Sequence, residues 1–194
     1  MKLTPADIRE VFDRHPVAMP VVLGVLLTLP SLLLGLYGDS LMLRTMSSSQ
    51  PWWALLEKPA QTPEAIERIL EFGALPWWAS QEAFSPSHLR PVASLVTWVD
   101  FRLLPQSSWL FHLHSVLWYA ALIAVVAVFL RKFLADSRWA LLAVVLFAVD
   151  DSHGLIVGHL ALRPVLVSSL FSMAALLAHA RWTRDGWRPG IVLA

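Results

Sequence analysis

Trp139–Leu162, WALLAVVLFAVDDSHGLIVGHLAL, is an apolar run interrupted by Asp150-Asp151-Ser152-His153-Gly154. The stretch before the acidic pair, Trp139 to Val149, makes roughly 16 Å of helix, too short to cross ~30 Å of hydrocarbon. Two ionised aspartates inside one continuous span cost about 5 to 7 kcal/mol on insertion scales. A broken helix lining a polar cavity is therefore the better account, with a solvated turn beyond a short span in a thinned bilayer as the alternative.

Composition sets the class around this segment. Hydrophobic residues make up 57% of the 194, charged residues 15%, and mean hydropathy is +0.59. That exceeds what a soluble domain of this length can bury, so an all-α polytopic membrane protein is expected, a bundle of about four to five spans. The chain has no cysteine, which excludes disulfides, thiolate zinc sites and a thiol nucleophile. A net charge of +1 carries no basic stripe for nucleic acid. Asp7, Glu10 and Asp13 among the first basic residues argue against a cleavable signal peptide.

Thr4-Pro5-Ala6-Asp7 reads as a helix start, and Ile8, Val11 and Phe12 share a face. Residues 1–16 are expected to form an amphipathic helix on the membrane surface, or an ordinary solvated helix. Residues 17–36 form the first expected span. Residues 37–108 read as a polar first loop with helices of its own. One helix starts at Thr62-Pro63-Glu64 and stops near Gly73; another follows Ser85-Pro86 and runs to about Leu104. The pairs Trp52-Trp53 and Trp77-Trp78 suit anchoring at headgroup depth. Residues 109–194 hold the further spans, Trp109 to Leu130 and Pro164 to Ala180, with the broken helix near 150–163 between them.

Arg131, Lys132 and Arg138 follow one span, and Arg181, Arg184 and Arg188 follow another, while Lys2, Arg9 and Arg14 precede the first. The positive-inside rule then places the N-terminus in the cytoplasm of a cell with an inner membrane, and the 37–108 loop and the 150–163 segment outside. Gly38-Asp39-Ser40, Asp100-Phe101-Arg102 and Asp150–His153 are thereby expected on one aqueous face.

Asp39, the series from Arg90 through Asp100 to His112, and the segment Leu146–His153 with Arg163 together resemble the C-type glycosyltransferases, multispanning enzymes that use a lipid-phosphate-linked sugar, and within them the branch related to protein O-mannosyltransferases. Asp39 stands just after the first span. Arg90-Pro91-Val92-Ala93-Ser94-Leu95, then Asp100, then Trp109-Leu110-Phe111-His112-Leu113, is similar to the family's R-P-L-S-x-L, D and F-G-Y-H-L series. Leu146-Phe147-Ala148-Val149-Asp150-Asp151-Ser152-His153, ten residues before Arg163, is similar to L-F-A-L-H-P-x-H-x-E followed by G-R. Order and spacing agree over roughly residues 20 to 180. The chain departs from the pattern where Asp150-Asp151 replaces His-Pro and Leu155 stands in place of Glu. It also stops as another apolar stretch begins at Gly190-Ile191-Val192-Leu193-Ala194, and the resemblance implies an N-terminal portion of a longer enzyme, inactive by itself if spans are missing.

The resemblance implies transfer of a sugar from a polyprenyl-phosphate donor to an extracytoplasmic glycan, lipid or protein acceptor. Asp39 becomes the candidate base, and Arg163, Arg90 and His153 the candidate phosphate ligands. Asp150, Asp151 and Asp100 are candidates for acceptor or metal. No cofactor is demanded; a divalent cation is admissible, although two carboxylates and a His are no metal signature without geometry. The residues themselves leave alternatives. Asp39 also suits a turn, Arg163 also suits snorkelling to the interface, and His153 also suits structural bonding at a helix break. His112 reads as packing or orienting, and His114, His159 and His179 carry no separate signal. A noncatalytic scaffold, or a small transporter whose polar break lines an ion path, is the competing function. A lipid-phosphate phosphatase, raised by Ser85-Pro86-Ser87-His88 and Arg90-Pro91, lacks its second His/Asp constellation.

Overall fold

The computed structural model describes residues 14–38, 40, 41, 44, 91–104 and 107–189, and among these it is helical with no strand. The chain forms two compact units, Met1–Leu41 with Leu104–Ala194, and Met42–Leu103. The expected surface helix before residue 14, the Thr62–Gly73 helix and both Trp pairs of the first loop lie outside the described residues.

In the first unit, α1 spans Ala18–Thr28 and tightens into a 3-10 turn at Leu29–Leu33. Pro20 sits in its first turn, where a missing N–H costs little. Thr28 bends the other end: its hydroxyl donates to the carbonyls of Gly24 at 2.9 Å and Val25 at 3.1 Å, one residue before the turn that contains Pro30. The two pieces together reach about 26 Å.

Helix α3 spans Ser108–Phe133, about 39 Å, and forms the centre of the unit. Val116, Tyr119, Leu122, Ile123, Val126 and Ala127 line its inner face against Val144 and Ala148 of α4 (Ser137–Val149), Val157 of α5 (Ser152–Gly158) and Leu166 of α6 (Arg163–Asp185). Gly24 lets α1 come close: a Cβ there would run into Ile123 Cδ1, 3.3 Å from the Tyr119 ring and 3.5 Å from the Ala148 carbonyl. Among the described residues α3 and the Leu160–Asp185 segment are long and apolar enough to cross a membrane, with a third span if the bent α4–α5 pair counts as one.

Local chemistry sets the ends of these helices. Asp136 caps α4 by accepting from the Arg138 N–H at 2.8 Å. Pro164 starts α6, and Gly186 ends it with φ +66, its N–H turned back to the carbonyls of Arg181 and Trp182. Arg163 lies against the start of α3, whereas Lys132 meets Asp185 at 3.2 Å near the finish of both helices. Helices α3 and α6 therefore run parallel, and α4 runs back between them in sequence.

The return is broken at the acidic pair. Helix α4 ends at Val149, α5 starts at Ser152, and their axes differ by 52°. Asp150 makes the break: its backbone turns extended, ψ 124, and its carboxylate accepts from the Ser152 N–H at 2.9 Å, a local turn that leads into the second piece. Tyr119 donates its hydroxyl to the Ala148 carbonyl at 3.1 Å, satisfying an acceptor freed by the end of α4. Tyr119 sits in the second quarter of α3 and its side chain leans toward the helix start, so the break lies roughly 10 to 16 Å below that start. The acidic pair is thus set some way along α3 rather than level with its start, and both carboxylates are exposed.

In the second unit, α2 spans Pro91–Leu103. It buries Ala93, Ser94 and Asp100, the last 1% exposed, and Arg102 lies 5.7 Å over the Trp98 ring.

Candidate functional site

Arg163 is the first turn of α6 folded inward. It is 2% exposed, so it does not snorkel to an interface. Its Nε donates to Ser115 Oγ at 3.0 Å and a terminal nitrogen donates to the Phe111 carbonyl at 2.6 Å. Ser115 completes the triangle by donating to the same carbonyl at 3.4 Å. A buried guanidinium needs this kind of hydrogen bonding, because desolvation costs several kcal/mol in round terms. The cation also stands at the positive end of the α6 dipole, so the two effects add to a centre that attracts anions.

The chain leaving the 3-10 turn of α1 reaches the same end. Tyr37 stacks on the His159 ring at 4.9 Å and 19°. Gly38 takes φ +55, and a Cβ there would lie 3.7 Å from His159 Nε2. Ser40 and Leu41 then turn back, donating to the carbonyls of Tyr37 at 3.2 Å and Gly38 at 3.1 Å. His159 opens the 3-10 turn Leu160–Leu162 that leads directly into Arg163.

Buried polar atoms without partners gather here. The two nitrogens of His112 lie against the backbone of Leu34, Gly35 and Val157 without a well-aligned hydrogen bond, and His159 Nε2 and Ser40 Oγ have no partner among the described residues. Each such atom costs about 1 to 3 kcal/mol when left unsatisfied. Buried polar groups left this way in a folded chain call for an explanation, such as a polar group that is not part of the chain.

The other expected site residues fall in different places. Asp39 and Arg90 lie outside the described residues. Asp100 is buried in the second unit. Asp150 and Asp151 are exposed at the helix break, and neither forms an ion pair with Arg163 among the described residues; the Asp150 carboxylate accepts from the Ser152 N–H. His153 packs against the rings of Phe147 at 4.6 Å and Tyr119 at 5.0 Å, with Nδ1 unpartnered. Among the described residues no three His, Asp or Glu side chains could hold a metal ion.

Sequence reasoning passed over Ser115 and Tyr37 and found no separate signal in His159. Ser115 carried a readable signal, a small hydroxyl one turn after Phe111 on an apolar helix, whereas His159 gave none, because its role depends on a stacking partner more than a hundred positions away. His114 accepts from Trp118 Nε1 at 3.0 Å, a local pairing apart from the cluster. No family model matches the chain, and no curated protein or solved structure matches it either.

Proposed function

We propose that this chain is a membrane glycosyltransferase of the inverting C type, or the N-terminal portion of one, moving a sugar from a polyprenyl-phosphate donor to an acceptor outside the cytoplasm. The observation that supports it most is the buried Arg163 clamp, set at the same end of the bundle as the Tyr37–Gly38 turn that leads into Asp39. In this reading the acceptor oxygen attacks the anomeric carbon, Asp39 takes its proton, and the bond to the phosphate breaks with its electron pair leaving on the polyprenyl phosphate. Arg163 lowers the energy of that developing negative charge, and His112 and His159 supply N–H donors to the headgroup.

The same reading counts four crossings: Ala18–Leu33, α3, the bent α4–α5 pair and α6. The charges Arg131, Lys132, Arg138, Arg181, Arg184 and Arg188 sit at the end of the bundle away from Arg163, which supports placing that end in the cytoplasm and the N-terminus with it. Asp150 and Asp151, exposed where the helix breaks, favour one competing reading, a small transporter with a polar path through the bundle.

The test is sugar transfer by the full-length protein in membranes with a polyprenyl-phosphate-sugar donor. Asp39→Asn removes turnover by a factor of about 10² or more, as loss of a general base does. Unchanged turnover rejects the assigned base. Ion flux that is lost in Asp150→Asn/Asp151→Asn and kept in Asp39→Asn supports the transporter instead.

A further inference from the structure

The opposite end of the bundle carries a charged surface for which sugar transfer has no use. Helix α3 finishes with Arg131 and Lys132, α4 begins with Arg138, and α6 finishes with Arg181 and Arg184, followed by Arg188 beyond the Gly186 turn. The Lys132–Asp185 bridge and the Arg184 guanidinium, 4.8 Å over the Phe133 ring, hold the finishes of α3 and α6 side by side. The carboxylates on these segments are Asp136 and Asp185, the first engaged in capping and the second in the bridge. Six cations against two anions leave an excess of four positive charges.

Arg131, Arg138 and Arg188 are exposed and make no ion pair among the described residues. Two indoles stand with them in the open, Trp139 at 65% and Trp182 at 37% exposure, and Arg181 lies 5.3 Å over the Trp187 ring. One turn further into each helix the exposed surface changes to aliphatic: Val128 on α3, Leu142 on α4 and Leu176 on α6. Cations at the rim, indoles beside them and exposed aliphatic side chains further along the same three helices match the three layers of a phospholipid met from the side: phosphate, glycerol region and acyl chain. A soluble phosphate compound would answer the first layer only.

We propose that this collar binds an anionic phospholipid, with its phosphate between Arg131, Arg138 and Arg188 and its acyl chains along Val128, Leu142 and Leu176. The inference is independent of sugar transfer and rests on the far end of the molecule. It is tested with the full chain in nanodiscs containing equal phosphatidylglycerol and phosphatidylcholine, ejected for native mass spectrometry, with the retained lipids counted. Phosphatidylglycerol is retained over phosphatidylcholine by roughly tenfold at low salt, and R131Q/R138Q/R188Q brings the ratio to about twofold or less. Circular dichroism of that variant matches wild type, since exposed cations are replaced. Equal retention of both lipids by wild type, or an undiminished preference in the triple variant, overturns the proposal. Displacement of the bound lipid by glycerophosphoglycerol, which has no acyl chains, also overturns it by showing that the collar reads phosphate alone.

Discussion

Where α3 and α6 begin, Arg163 is folded inside and fixed by Ser115 and Phe111; where they finish, Arg131, Arg138, Arg181, Arg184 and Arg188 stand in the open. The two ends carry the same chemical group under opposite conditions. At the buried end the charge has been desolvated, so each hydrogen bond is worth more and holds the side chain in one geometry. At the exposed end water and salt screen each charge, and what matters is how many cations share the surface. A site that selects one ligand geometry belongs to the first kind of environment, and a collar that holds a class of headgroups belongs to the second.

Removing a charge separates these two regimes, and the largest effect is expected at Arg163. Arg163→Met deletes the charge-assisted hydrogen bonds to Ser115 and Phe111 in the interior and is expected to lower unfolding stability by roughly 2 to 4 kcal/mol, measured by thermal or denaturant unfolding in detergent. Arg163→Lys restores the charge but not the fork that reaches both Ser115 and Phe111, so it recovers less than half of that loss. A neutral result in either variant would break the contrast between the two ends, because it would mean that the buried guanidinium holds nothing in place.

An intermediate effect is expected at the helix break, which lies between the ends. Tyr119→Phe removes the hydroxyl that meets the Ala148 carbonyl and leaves that buried acceptor unpaired. The expected loss is about 1 to 3 kcal/mol in the same unfolding measurement. Because the chain has no cysteine, a single cysteine placed at position 151 reports access to the break by maleimide labelling. Faster labelling in the Tyr119→Phe background sharpens the assignment of Tyr119 as the latch of the break; an unchanged rate with unchanged stability removes it.

The break itself was legible in the sequence because two adjacent carboxylates cannot share a continuous apolar helix cheaply, and Asp150 does end α4. Its depth was not legible. Periodicity places residues on faces, while depth came from one hydrogen bond between Tyr119 and Ala148, 29 positions apart. The inward turn of Arg163 was hidden for the same reason: its partners are 48 and 52 positions away, and the sequence alone left snorkelling open. The expected span from residue 17 to 36 is cut back to Ala18–Leu33 because Thr28 and Pro30 tighten its last turn. By contrast, α3 and α6 run past their expected ends at Leu130 and Ala180, to Phe133 and Asp185. Arg131, Lys132, Arg181 and Arg184 are good helix formers once water can reach them. Of the expected site residues, Arg163 could be named from its place before Pro164 but its burial could not, and neither could the positions of His112 and His159.

The smallest effect is expected at the exposed end. Lys132 and Asp185 meet at 3.2 Å with side chains 27% and 56% exposed, the geometry of a surface ion pair. Lys132→Gln is expected to cost at most about 0.5 to 1 kcal/mol, with the difference fading as salt is raised, because screening already weakens the pair. The Arg184–Phe133 contact remains to hold α6 against α3 in that variant. A double-mutant cycle with Asp185→Asn, run at low and high salt, measures the coupling directly. A coupling that is large and insensitive to salt would show that this end is desolvated like the Arg163 end, and the distinction between a fixed interior charge and a screened collar would then lose its physical basis.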